Sequence, residues 1–393
     1  MNRRYFYYLQ ILAIFISLQS LIIVGFNLLV DPYGIFQLIT LENFNQEKPS
    51  KIKNPRLFKA IDIINLKPKT ILLGSSRTDL GLDPNYPLLK AYPPIYNLGI
   101  LGVNSEELRY YFEHALVNQD NIQRVIIGLD FFMFNTNRDN KPGFKQNRLL
   151  KKHLIISDFV DFTLSTNALN ESFQTISFNQ SPDRLSPYFL NGMSDTAYFL
   201  KYVFKNTSIT KEFDRSLTRF LSDPTLYGNY TLSPERLEDM QKIIRVCQEK
   251  KIECITFISP AHALQWEAIQ VAGLWPEFEE WKQDLVRITP VWDFSGYNNI
   301  TTEQIDNKMK NYLDSSHYTK KVGDLVLQRI LQGNETNTSN DFGVLISPTN
   351  IESHLVNLRK EQETWTAKNP DLVEYVQQIK RKVEAKRLRE EME

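Results

Sequence analysis

Asp314 and His317 stand three residues apart in "YLDSSHYT". On a turn, that spacing lets a carboxylate accept from one imidazole nitrogen while the other faces outward. The carboxylate then fixes the ring tautomer and stabilises the imidazolium formed when the ring takes a proton. Such a pair activates a hydroxyl, which is a poor nucleophile until a base removes its proton. Two adjacent hydroxyls, Ser75 and Ser76, lie in "ILLGSSRT" where an apolar run gives out, and Arg77 follows them. In "NLGILGVNS", Gly102 comes just before a helix start at Asn104, where outward backbone N–H groups can hold an oxyanion. "IIGLDFF" puts Gly128 and Asp130 at the end of another apolar run. Arg77 is suited either to an anionic substrate or to pairing with Asp130. Each piece alone is ordinary turn chemistry; together they are the parts of nucleophilic acyl transfer.

These residues need a scaffold that gathers them. Short apolar runs at 70–76, 95–100, 124–130, 253–259 and 291–296 end in Gly, Asp or Ser and read as buried strands. Helical spacing follows several of them. Asn104 with Glu107 makes a capping-box variant ahead of Leu108, Tyr111, Phe112 and Ala115. Ser233-Pro234 opens a second helix. Thr319 precedes a third, stopped at Gly333. The alternation predicts an α/β fold, a central mostly parallel sheet with helices on both faces. We delimit a domain over residues 65–332, preceded by a linker over 31–64. Residues 135–232 break the rhythm and read as a helical insertion, a lid or substrate-facing cap, and 333–393 read as a helical extension.

From Tyr5 to Val30 no residue carries a charge. As a helix this run is about 39 Å long, enough to cross a hydrocarbon layer of roughly 30 Å. A cleaved signal peptide would have a shorter apolar region and small residues at its end; here the run ends in "NLLVDPYG". Arg3 and Arg4 precede the span, while Asp31 and Glu42 follow it before the first lysine, Lys48, which by the positive-inside rule places the N-terminus in the cytoplasm and the rest outside. We read residues 1–30 as a signal anchor. Net charge is zero, which argues against a broad nucleic-acid-binding surface. Only two cysteines occur, Cys247 and Cys254, without a C-x-x-C. No metal site or cofactor is therefore expected, and the two read as core thiols, a bond between them being the alternative. His262, after the fourth strand, reads as a structural histidine, with a cleft-facing role as the alternative.

The order of the pieces resembles the SGNH (or GDSL) hydrolase superfamily. Gly74-Ser75-Ser76 stands for its Gly-Asp-Ser block, which implies Ser76 as the nucleophile. Gly102 matches the oxyanion glycine of the second block. Asp314-x-x-His317 matches the terminal Asp-x-x-His, which implies the acid and base. The resemblance spans roughly residues 65–332 and implies a flavodoxin-like three-layer fold. In the third block Asp130 stands where the family has its oxyanion asparagine. A carboxylate there repels an oxyanion unless protonated or turned away. The second block's usual aspartate is also absent.

With its membrane anchor, the chain looks most like the branch that modifies cell-envelope polymers. That branch includes the teichoic-acid D-alanyl transfer protein and the alginate O-acetylation proteins. The resemblance implies acyl transfer onto an envelope polymer through an acyl-serine, with the lipid bilayer and a membrane-bound O-acyltransferase as partners. Two other readings are a degenerate domain of this type that binds polysaccharide or scaffolds an assembly complex, and an anchored interaction protein.

Overall fold

The structure, a computed structural model, describes residues 3–333 and 342–392. Helix α1 (Arg3–Val30) has mean hydropathy 2.2 over its most apolar window, none of it buried, so it is long and apolar enough to cross a membrane. It stops at Asp31, whose carboxylate accepts from the N–H groups of Ile35, Phe36 and Gln37 at 2.8, 3.0 and 2.8 Å. Lys48 Nζ donates to the Val30 carbonyl at 2.8 Å, a cation at the negative end of the helix dipole. The segment expected as a linker carries a packed helix, α2 (Pro55–Leu66), in which every residue from Pro55 to Ile63 is buried.

Five parallel strands follow: β1 (Thr70–Gly74), β2 (Ile95–Gly99), β3 (Arg124–Leu129), β4 (Glu253–Ile258) and β5 (Val291–Asp293). They run in the order 2-1-3-4-5, and β6 (Val344–Ile346) closes the far edge antiparallel to β5. β1 lies between its neighbours in register, Thr70 opposite both Ile95 and Arg124. All of β1 is buried, which is why it reads as a continuous apolar run rather than an alternating one. The order changes direction between β1 and β3, and crevices form outside the carboxyl ends of strands at such a switch point.

Helices α3 (Ser76–Gly81) and α4 (Ser105–Asn118) follow β1 and β2. Asn104 caps α4, its side chain accepting from Glu107 N–H at 2.9 Å. The insertion is helical: α5 (Gln146–Leu149), α6 (Ile156–Thr163), α7 (Thr166–Asn179), α8 (Thr196–Tyr198) and α9 (Ile209–Ser222). The chain re-enters the sheet through α10 (Pro234–Lys250), capped by Ser233. Then come α11 (Ala263–Val271), α12 (Trp275–Ile288) and α13 (Lys320–Gln332). In the C-terminal extension, residues 334–341 and Glu393 lie outside the described residues; α14 (Ile351–Lys368) and α15 (Pro370–Glu390) pack on the domain. His354 Nε2 sits 2.8 Å from the buried Asp293 carboxylate, and Arg359 Nε donates to Glu279 at 2.7 Å.

Candidate active site

β1 ends at Gly74, where a Cβ would lie 2.1 Å from Thr78 Oγ1, so the turn into α3 closes only on a glycine. Ser75 is the N-cap of α3: its Oγ accepts from Arg77 N–H at 3.1 Å and donates to Asp130 Oδ2. Ser76 is the first helical residue and its hydroxyl is aimed elsewhere. Ser76 Oγ lies 2.9 Å from His317 Nε2, and His317 Nδ1 lies 2.7 Å from Asp314 Oδ2. Asp314 Oδ1 accepts from the N–H groups of Ser316 and His317, both at 2.7 Å. The loop is pinched shut below the ring by pairing of Tyr312 with Tyr318 and by Leu313 N–H donating to the His317 carbonyl at 2.9 Å. Burial pushes the Asp314 carboxyl up, but the adjacent His317 and the two backbone donors outweigh it and hold it below the usual carboxylate range. An ionised Asp314 accepts a hydrogen bond from the Nδ1–H of His317, which keeps the proton on Nδ1 and leaves Nε2 as the acceptor facing Ser76.

Asp130 and Arg77 do not reach the cleft. Arg77 Nη1 donates to Asp130 Oδ1 at 2.8 Å, and both side chains are buried. The Asp130 carboxylate is therefore turned away from the serine cleft, held between Arg77 and Ser75. Arg77 also donates through Nε to Ser316 Oγ at 3.0 Å, which braces the histidine loop from below. Of the three residues expected around an oxyanion, only Gly102 lines the cleft. Its φ of +65° is one that glycine adopts without strain. Among the described residues, neither its N–H nor that of Ser76 donates to any group.

The cleft is a cavity of about 470 Å³ that includes Ser76, His317 and Asp314. The insertion builds much of its wall: Phe199, Phe204 and Phe220 supply apolar surface, and the Phe199 ring lies 6.0 Å from the His317 ring. Arg138, Lys141 and Arg219 also line it, and none of the three has a carboxylate partner among the described residues. The buried Arg138 guanidinium donates instead to the carbonyls of Gly102, Thr225 and Val103, at 2.8, 3.0 and 3.2 Å. Burial pushes Arg138 down to about 10 against the opposing charge of nearby Asp223, and Arg219 adds to the lowering. Burial and the nearby Arg138 likewise lower Lys141. Such a cluster suits an anion.

Compared with known proteins, the chain matches no protein-family model and no curated protein.

Other candidates fall outside the cleft. His262 caps α11, its Nδ1 accepting from Leu264 N–H at 3.2 Å and its Nε2 donating to the Glu303 carbonyl at 2.8 Å. It is structural, and burial pushes it down to about 4. Cys247 and Cys254 are free thiols. Sequence reasoning missed the bracing beneath the nucleophile. Lys59 of α2, wholly buried, pairs with Asp79 of α3, donates to the Gly99 carbonyl, and so ties α2, α3 and β2 together. Asp79 in turn accepts from Ser194 Oγ of the insertion. The one signal was a lysine within the apolar stretch "LFKAIDII".

Proposed function

We propose that this chain is a membrane-anchored, extracytoplasmic serine acyltransferase or esterase of SGNH type, acting on a cell-envelope polysaccharide or related polymer. The observation that carries the reading is the Ser76–His317–Asp314 relay, with contacts of 2.9 and 2.7 Å although Ser76 and His317 are 241 residues apart in sequence. A buried, ionised carboxylate behind an outward-facing imidazole serves a hydroxyl that must lose its proton. The strand order 2-1-3-4-5 and the motif order both agree with the superfamily's three-layer fold.

In the reaction, Ser76 Oγ attacks the acyl carbonyl carbon as its proton passes to His317 Nε2. Negative charge gathers on the carbonyl oxygen, where the free N–H groups of Ser76 and Gly102 stabilise it. Collapse expels the donor's alcohol, which takes the proton from His317, and acyl-Ser76 remains. An acceptor hydroxyl then attacks the acyl-serine and gives its proton to His317; collapse breaks the bond to Ser76 Oγ, which takes that proton back from His317, and the acceptor leaves acylated; water in its place gives hydrolysis. Asp314 stabilises the imidazolium at both stages. Lys141 and Arg219, which among the described residues have no carboxylate within ion-pair distance, favour an acidic acceptor, with the buried Arg138 behind them. Arg3 and Arg4 at the start of α1, with no lysine or arginine after it until Lys48, support an external domain, and a membrane-bound O-acyltransferase is the partner that the resemblance implies.

A fluorophosphonate probe tests the reading. The folded full chain in detergent is expected to label at Ser76 alone. Ser76→Ala and His317→Ala abolish labelling, and Asp314→Ala reduces it. No labelling of the folded wild type would overturn catalysis and leave the domain as a polysaccharide-binding or scaffolding module.

A further inference from the structure

Helix α1 is not loosely tethered to the domain. Near its end the buried Asn27 donates to the Thr163 carbonyl at 2.8 Å and accepts from Ser172 Oγ at 2.7 Å. Phe26 packs on Phe173 with ring centroids 5.2 Å apart. Just beyond the helix, Tyr33 meets Phe162 at 4.7 Å and Phe36 meets Phe159 at 6.0 Å. Asn45 donates to the carbonyls of both Leu29 and Ile39, each at 2.8 Å, and so fastens the 38–41 loop to the helix end. The end of α1, this loop, α6 and α7 are joined at the same place.

The surface exposed around that junction is apolar. Leu38, Ile39 and Leu41 face outward on the loop, Leu38 being 63% exposed. On α6, Ile156, Phe159 and Val160 follow i, i+3, i+4 spacing, form one stripe and are all exposed, Ile156 at 83%. The acids of α6 do not break the stripe: Asp158 is buried against Arg148, and Asp161 is held by Lys145. Lys151 and Lys152, both exposed, come just before α6. A contiguous apolar patch with a polar rim marks a contact surface rather than ordinary solvent-facing structure.

We propose that the 38–41 loop, the exposed stripe of α6 and Phe173 form a collar that dips into the interfacial layer of the bilayer that α1 enters, holding the domain on the membrane surface in one orientation. Continuity argues for lipid as the occupant. Phe159 contacts the chain leaving α1, Phe173 contacts α1 itself, and Ile39 is bonded through Asn45 to its last turn. The exposed apolar side chains of α1, Ile22 and Leu29 among them, need the same hydrocarbon environment. Lysines at the rim suit headgroup phosphates while their stems lie along apolar surface. An interfacial helix of this kind buries its apolar face roughly 5–10 Å into the headgroup–acyl boundary. The insertion then has two ends with two tasks: α9 lines the cavity, and α6 with α7 rests on the membrane. None of this depends on the chemistry of Ser76.

The test uses the full chain in lipid nanodiscs, with Cys247→Ala and Cys254→Ala as background. A polarity-sensitive dye is attached at Leu38→Cys, Ile156→Cys or Val160→Cys, and at Leu388→Cys on α15 as the exposed control. The dye at the three collar sites is expected to emit blue-shifted and to be quenched several-fold more than the control by lipids bearing a nitroxide near the headgroup. Water-like, unquenched emission at Ile156→Cys and Val160→Cys would overturn the proposal. A blue shift without nitroxide quenching would overturn it as well, and would assign the stripe to a protein partner or a second copy.

Discussion

Replacing Asp130 by asparagine separates two roles for one residue. The Arg77–Asp130 pair has side chains 3% and 1% exposed and a 2.8 Å contact. The substitution is nearly isosteric, so it removes a charge and an acceptor without opening a cavity. Breaking a buried pair by removing one partner costs about 3–5 kcal/mol, because the remaining charge is left uncompensated. Arg77 keeps Ser316 Oγ at 3.0 Å and the Phe132 ring at 5.4 Å, which puts the expected loss at the low end, about 3 kcal/mol. At roughly 2–4 °C per kcal/mol for a large domain, the melting temperature falls by about 6–12 °C. Because Arg77 also braces the loop beside His317, labelling of Ser76 slows, measured well below both melting temperatures. Replacing both partners, as Arg77→Met with Asp130→Leu, recovers part of the stability, since no charge is stranded. Had Asp130 faced the oxyanion, Asp130→Asn would instead add a donor worth about 2.7–4 kcal/mol to the transition state. A variant as stable as wild type and tenfold faster would refute the orientation argued above.

Ser75→Ala removes the cap of α3 and one donor to Asp130; it is expected to cost about 1–2 kcal/mol while Ser76 still labels, and labelling lost with Ser75 but kept without Ser76 would move the nucleophile by one residue. His262 is held near 4 in the fold against about 6.5 in an unfolded chain. The unfolded state therefore takes up the proton first as pH falls. The contribution of neutral His262 is complete above about pH 6.5 and lost toward pH 4, about 3 kcal/mol in all. His262→Gln should flatten the denaturant midpoint against pH across that window, and an unchanged slope would count against the assignment. An acidic oligosaccharide should protect Ser76 from the probe better than a neutral one of equal length, and the advantage should shrink with added salt and in Lys141→Ala or Arg219→Ala. Equal protection by both sugars would remove the case for an acidic acceptor.

The parts that could be read from sequence are those whose chemistry is local. Asp314-x-x-His317 specifies its own carboxylate–imidazole contact through a tight loop. Short apolar runs ending in Gly or Ser mark strands buried on both faces. Ser76 and Ser75 differ only once the helix start is known, because the N-cap position occupies Ser75. Asp130 was ambiguous for a different reason: its neighbours in sequence do not say whether the carboxylate turns to a cleft or to Arg77, which comes from another strand end. Lys59 and Asp79, 20 residues apart, find each other only after the sheet forms. α2 does not show as a core helix in sequence because Lys59 and Asp62 interrupt its apolar face, and both are partnered by tertiary contacts. β6 has three residues, too few for any periodicity to show.

If Ser76 carries an acyl group in turnover, that intermediate can be trapped. The full chain is mixed with an activated short-chain acyl ester, quenched in acid and digested, and the acylated peptide is located by mass spectrometry. A single modified residue, Ser76, is expected in wild type, and none in His317→Ala, where loss of the base slows acylation by about four to six orders of magnitude. Equal acylation of wild type and His317→Ala, or acylation of the wild type at any other residue, would contradict it.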